Sequence, residues 1–133
     1  MNLTLLSHLV FALPLMMSAY TKNWLLFVLL VATVVSSIYY HTIKIPTYFT
    51  TIFEYHPAAR LIDMGFTLMI ALYIVREIYI IRNTEESWIL LVLAVVFAAL
   101  LKLSSQWISY ENVHILWHIL AALYIAGFVW VTM

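Results

Sequence analysis

The sequence predicts an all-α integral membrane protein, a single bundle of about five transmembrane helices. Of its 133 residues, 66% are hydrophobic and only 9% are charged, whereas soluble domains carry roughly 45–50% apolar and about 25% charged residues. The apolar runs are continuous rather than alternating, which predicts helices, since only helices and closed barrels satisfy their backbone polar groups in lipid. There is no Gly/Ser linker and no repeat, so residues 1–133 are predicted to form one domain.

Composition also excludes several classes of function. The net charge is zero and no Lys/Arg run is present, so a nucleic-acid partner is not expected. Cysteine is absent, which excludes disulfides and thiolate metal ligands. Lys and Arg are shared equally between the two predicted membrane faces, so the positive-inside rule does not orient the chain. The sequence predicts a multi-pass membrane protein without specifying which membrane.

Five stretches reach the length of about 20 apolar residues that a helix needs to cross about 30 Å of hydrocarbon. They run over 3–20, 23–41, 58–81, 87–105 and 112–132. The first lacks a basic segment before its apolar run, so we interpret it as a retained span rather than a signal peptide. Pro14 is expected to kink it.

The connections between these spans differ in length. The turns at 21–22 and 83–86 are short. The connection 42–57 is longer, contains Pro46 and Pro57, and carries several aromatic side chains. It is predicted to lie in the membrane interface, and two interpretations remain open: a surface loop, or a lid or lipid entrance over one membrane face.

Ionisable groups inside membrane spans are costly and usually functional. His41 lies in the last turn of the second span, Asp63 about five residues into the third, and His114 and His118 in the first two turns of the fifth. The second span ends, and the third and fifth begin, on the membrane side where the first span begins. These four residues are therefore predicted to lie at one depth beneath the same face.

The spacing of the histidines suits a metal ion. His114 and His118 are four residues apart and share one helical face, and His41 would add a third imidazole. Three histidines with one open position form a catalytic zinc arrangement; iron, nickel and copper are chemically open. Ser37 lies one turn before His41 on the same face. From the residues alone, a metal site and a set of ordinary interfacial and packing residues both remain open.

Four further ionisable residues are expected to lie at span ends without a functional role. His8 and His56 are each expected to be interfacial residues near a span end. Arg76 and Glu77 are expected to extend their charged groups from the opposite end of the third span towards water.

Three motifs in this chain resemble those of the CREST superfamily of membrane proteins. Ser37 and His41 resemble its Ser-x-x-x-His element, and the segment ending at Asp63 resembles its aspartate element. His114 and His118, with Leu-Trp between them, resemble its last-helix element, which is the most specific of the three. The motifs occur in the family order and touch about half of the chain. The superfamily includes alkaline ceramidases, progestin and adiponectin receptors and haemolysin-III-like proteins.

The resemblance implies a zinc ion bound by His41, His114 and His118, with Asp63 holding or activating the zinc-bound water and Ser37 beside it. It implies an enzyme, a zinc-dependent hydrolase that cleaves an amide (ceramide-like) or ester bond of a membrane lipid. Family members typically have seven spans and this chain has five. The two missing helices would fall between the third and fifth spans, which preserves the direction of the last helix. A homo-oligomer could supply the missing wall of the substrate cavity.

Two other functions remain open at this stage. The family also contains receptors, so the chain could be a non-catalytic lipid-binding or receptor-like protein with a structural zinc. Histidines on separate transmembrane helices can also bind a b-type haem, although two histidines on one helical face suit a single small ion better.

Overall fold

The computed structural model describes residues 3–43, 57–82, 84–104 and 110–132, and these contain helices but no strand. The α-helices are α1 (Leu3–Ser7), α2 (Ala12–Tyr20), α3 (Trp24–Ile43), α4 (Pro57–Arg76), α5 (Glu85–Ser104) and α6 (Tyr110–Thr132). A 3-10 segment, His8–Phe11, joins α1 to α2, and a π-helical segment, Glu77–Arg82, follows α4. The prediction of an all-α fold is confirmed.

Four stretches of the described chain are helical, long and apolar enough to cross a membrane: Leu3–Tyr20, Trp24–Thr42, Ala58–Ile80 and Asn112–Thr132. They coincide with four of the five predicted spans, and the remaining predicted span, 87–105, corresponds to α5. The chain is therefore a multi-pass membrane helical bundle. Residues 44–56 lie outside the described residues, so the interpretations of the long connection and of His56 stay predictions.

Pro14 explains why the first span is not one regular α-helix. Proline has no backbone N–H, and its ring clashes with the carbonyl group four residues earlier, which belongs to Val10. Just before Pro14 the helix tightens into the 3-10 segment. There the backbone N–H of Ala12 donates to the carbonyl of Leu9, three residues earlier, rather than to a carbonyl four residues earlier as in an α-helix. The disturbance expected from Pro14 thus takes the form of one 3-10 turn that begins at His8.

The short turn between α2 and α3 is closed by backbone hydrogen bonds. Lys22 has a left-handed φ of 57°, its N–H donates to the carbonyl of Ala19 at 3.1 Å, and the N–H of Asn23 donates to the carbonyl of Ser18 at 2.8 Å. This is a Schellman motif, in which the two bonds satisfy carbonyl groups at the end of α2. It reverses the chain within three residues and sets α3 antiparallel to α2.

The hydrophobic core lies between α2, α3, α4 and α6. Its buried members are Phe11, Leu26, Leu29, Leu30, Ile70, Ile74, Ile78, Ala122, Ile125, Phe128 and Val129. The α3 helix packs along α4, while α6 packs against α2 and α5. This core fills the half of the bundle near the α2–α3 turn, and the polar residues of the spans lie towards the opposite end.

Arg76 and Glu77 lie at the junction of α4 and the π-helical segment. The Nη1 atom of Arg76 is 3.4 Å from Oε1 of Glu77, and the arginine side chain is exposed. This pair lies at the end of α4 that is remote from Asp63, as the sequence predicts, but the Glu77 side chain is only 13% exposed and does not extend into water as expected.

Asn23 is expected to stabilise the fold because its side chain both caps α3 and bonds to a second helix. Its Oδ1 accepts from the N–H of Leu26 at 3.2 Å, as an N-cap does, and its side chain exchanges hydrogen bonds of 2.8 and 3.0 Å with the Tyr73 hydroxyl. Replacing an N-cap costs typically about 1 kcal/mol, so N23A should lose about 1–2 kcal/mol of unfolding free energy. The measurement is reversible unfolding in mixed micelles.

The matched control is Y73F, which removes the interhelical bond and leaves the cap. It should cost about 0.5–1.5 kcal/mol, less than N23A. Equal losses in the two variants would show that the cap contributes nothing.

Candidate metal centre

Four histidine side chains from three parts of the chain meet at one end of the bundle. His8, His41 and His118 are buried, and each offers a ligand nitrogen that lies within 4.8 Å of the other two. His114 joins the cluster through His41, since their Nε2 atoms are 2.9 Å apart. The rings of His114 and His118 have centroids 4.6 Å apart, as expected for residues one turn apart on α6.

The interpretation of His8 as an interfacial histidine is wrong. Its side chain is only 5% exposed, and its ring centroid lies 4.3 Å from that of His118 and 5.5 Å from that of His41. The sequence does contain a signal for this position. His8 lies about five residues into the first span, as Asp63 does in the third, and both spans begin at the same end of the bundle.

Hydrogen bonds from the first helix fix the orientation of two imidazoles. His8 Nδ1 lies 2.8 Å from the Thr4 carbonyl oxygen, which can only accept, so Nδ1 must carry the proton. Ser7 Oγ donates to the same carbonyl at 2.6 Å and therefore accepts from His118 Nδ1, also at 2.6 Å. In the neutral tautomers that follow, Nε2 of both rings is left with its lone pair.

This pattern is that of metal-ligating histidines, which donate their second ring N–H to a carbonyl or another acceptor. The Nε2 atoms of His41 and His114 also lie close enough to interact directly. Two nitrogen lone pairs at 2.9 Å repel each other unless a proton or a cation lies between them. A donor set of imidazoles without any thiolate suits zinc and is compatible with copper, iron or nickel. The residues therefore fit a metal ion.

Ser37 and Asp63 lie beside the histidines. Ser37 Oγ donates to His8 Nε2 at 2.9 Å, and Ser36 Oγ lies 3.5 Å from Asp63 Oδ1. A cavity of about 100 Å³ is lined by Ser37, Asp63 and three of the histidines, His8, His114 and His118. The carboxylate, the hydroxyl and the imidazoles thus face one small volume.

A second, apolar cavity of about 190 Å³ lies between α4, α5 and α6. It shares wall residues with the first cavity, namely Thr67, Ile70, Trp117, Ala121 and Ile125. The hydroxyl of Tyr124, another wall residue, is buried and has no hydrogen-bond partner among the described residues. The polar and apolar cavities are therefore neighbours rather than separate sites.

The residues that the sequence predicts for the site come together in space. His41, His114 and His118 are members of the cluster, and Ser37 and Asp63 line the adjoining cavity. Their roles as ligands and catalytic groups stay predictions. The residues missed by the sequence interpretation are Thr4, Ser7 and His8, all on the first span.

Comparisons with protein-family models, with curated protein sequences and with solved structures find no match to this chain. The resemblance to the CREST superfamily therefore rests on the three sequence motifs alone.

Ser7 is expected to be important because its hydroxyl links His118 to the first helix. In S7A the Nδ1–H of the buried His118 loses its acceptor, which should lower the unfolding free energy by about 1–3 kcal/mol. In ¹⁵N spectra of histidine-labelled protein, the His118 ring should also lose its preference for the Nδ1–H tautomer.

The matched control is S18A. Ser18 is also buried on the first span and donates to a carbonyl three residues earlier, that of Leu15, but this bond does not involve a histidine. Its replacement should cost below about 1 kcal/mol and leave the histidine spectrum unchanged. An unchanged His118 tautomer in S7A would contradict the assignment.

Proposed function

We propose that this chain is a zinc-dependent intramembrane hydrolase that cleaves an amide or ester bond of a lipid. The observation that carries the proposal is a cluster of four imidazoles at one end of a membrane bundle, beside a cavity that three of them share with the Asp63 carboxyl group and the Ser37 hydroxyl. Groups of this kind are expensive to bury in a membrane and usually mark a functional site.

The metal would be held by His41, His114 and His118. When bound, zinc acidifies water towards a pKa of about 7 and polarises a carbonyl group. The hydrogen bond from His118 Nδ1 to Ser7 Oγ orients one ligand ring. The position of His41 in the last turn of α3 lets its ring meet the pair on α6 from a second direction.

Asp63 is the residue best suited to move protons. It lines the cavity next to the histidines without belonging to their cluster. Its carboxylate would accept a proton from the attacking water and return it to the leaving amine or alcohol, as a general base and then a general acid. Ser37, whose hydroxyl lies on the same cavity, would lie beside the attacking water and the scissile bond of the lipid.

The apolar cavity supports a lipid as the substrate. It adjoins the cavity of the histidines and is lined almost entirely by apolar and aromatic side chains of α4, α5 and α6. An acyl chain lying there would bring its carbonyl carbon to the shared wall near Trp117, at the edge of the polar site. Exposed apolar side chains on α4 and α5, such as Leu68 and Val95, would allow the lipid to approach from the bilayer.

A second candidate is a lipid-binding or receptor-like protein with a structural metal. The fourth histidine favours it, because four protein ligands would fill the coordination sphere of zinc as they do in structural sites. A b-type haem is disfavoured, since neighbouring histidine rings in the cluster have centroids only 4.3–4.8 Å apart and no macrocycle fits between them.

Metal analysis of the purified chain tests the first requirement. The wild type should hold about one zinc per chain, and H114A and H118A should lose it, because each removes one imidazole of the pair on α6. H56A is the matched control, since the same substitution lies outside the proposed ligand set. Wild-type protein that takes up no zinc would contradict the proposal.

Substitution of Asp63 tests catalysis separately from metal binding. D63N should keep its zinc and lose hydrolysis by about 10²–10⁴-fold, the usual contribution of a general acid–base group. The assay follows release of labelled fatty acid from a fluorescent ceramide and from a fluorescent phosphatidylcholine in mixed micelles. If wild type and D63N cleave neither probe although zinc is bound, the lipid-binding alternative is favoured instead.

A further inference from the structure

His8 is a fourth imidazole beside the three proposed ligands. The histidines whose ligand nitrogens all lie within 4.8 Å of one another are His8, His41 and His118, and His114 adjoins them through His41. His8 comes from the first span, whereas the proposed ligands come from α3 and α6. Its nitrogen lies within 4.8 Å of the ligand nitrogens of His41 and His118, a separation that a small movement of the ring can shorten to the spacing of tetrahedral ligands. With metal–nitrogen bonds of about 2.0–2.1 Å, that spacing is roughly 3.3 Å.

The hydrogen bonds of His8 prepare it for this role. Its Nδ1 donates to the Thr4 carbonyl, so its Nε2 carries the lone pair, and its ring centroid lies 4.3 Å from that of His118 and 5.5 Å from that of His41. The bond to a backbone carbonyl is the outer contact that metal-ligating histidines usually make.

His8 also has an alternative partner for the same nitrogen. Ser37 Oγ donates to His8 Nε2 at 2.9 Å. His8 is moreover the first residue of the 3-10 segment, where hydrogen-bond geometry is poorer than in an α-helix. The ring can thus be satisfied in two positions, one on the metal and one on the serine.

We propose that His8 is an exchangeable fourth ligand, which completes the metal site at rest and can leave it for Ser37. The inference rests on the proposed function. Exchange requires no redox step: the imidazole takes its lone pair away from the metal, accepts the Ser37 hydrogen bond and leaves one coordination position open. The resting site is then closed, as in structural zinc sites, and the working site is open, as in catalytic ones.

The test uses the full-length chain in detergent, loaded with zinc or with cobalt(II). Zinc-edge X-ray absorption should count four imidazoles in the wild type and three in H8A. The visible spectrum of the cobalt form of H8A should shift on addition of azide, which occupies an open position, while the wild type stays unchanged at azide concentrations that saturate the variant. Competition with a chelator should show metal affinity reduced by about tenfold or more in H8A.

Two further variants serve as controls for H8A. S37A removes the alternative partner and keeps the four ligands, so its cobalt spectrum should resist azide as the wild type does. H56A should behave as the wild type in every measurement. If H8A does not fold, the imidazole count of the wild type still decides, because four supports the proposal and three overturns it.

The outcomes separate this inference from the proposed function. Three imidazoles and an azide-sensitive cobalt spectrum in the wild type would overturn the role of His8 and leave the hydrolase proposal intact. Four imidazoles without hydrolysis of any lipid probe would support His8 as a ligand and contradict the hydrolase. A chain that binds neither metal would overturn both.

Discussion

Burying imidazole nitrogens in a membrane bundle is possible only if each nitrogen has a partner, and this constraint organises one end of the molecule. A buried polar group without a hydrogen bond costs several kcal/mol in an apolar environment. The first turns of the chain provide the partners on the outer side, since the Thr4 carbonyl and the Ser7 hydroxyl engage Nδ1 of His8 and His118. On the inner side Nε2 of His41 faces Nε2 of His114 at 2.9 Å, and a shared cation would satisfy several imidazole nitrogens at once.

Antiparallel packing brings the ends of several helices together at the histidine cluster. α3 ends where α1, α4 and α6 begin, so residues that are distant in sequence reach the same end through antiparallel packing. The apolar core occupies the other half and holds the helices in register. The polar cluster adjoins this packing directly, since the core residues Phe11, Ile70 and Ile125 also line the cavity of the histidines.

Most of the fold could be predicted because apolar runs of fixed length dominate this sequence. The predicted span 112–132 corresponds to α6, and 23–41 corresponds to α3, with ends within two residues. The common depth of His41, Asp63 and the pair on α6 was also readable, since depth follows from counting residues along a helix. The 3-10 segment at His8 and the π-helical segment after Arg76 were not, because they depend on how local backbone strain is relieved.

His8 marks the limit of sequence reasoning at the site. A single histidine near a span end has the same sequence signature whether it meets lipid headgroups or other histidines, because only tertiary packing determines which face of its helix is covered. The Thr4 carbonyl bonds to the ring of His8, and the Ser7 hydroxyl bonds to the ring of His118. Neither pairing can be inferred from the spacing of Thr4, Ser7 and His8 in the sequence. Histidine, aspartate and serine occur in sites for different metals and different lipids, so these residue types do not identify the metal or the lipid.

The most direct measurement is a crystallographic anomalous difference map collected on either side of the zinc absorption edge, from protein purified without chelators. We expect one strong peak, present only above the edge, among the Nε2 atoms of His41, His114 and His118. Histidine rings joined to one another by hydrogen bonds alone, with no anomalous peak between them, would contradict this expectation.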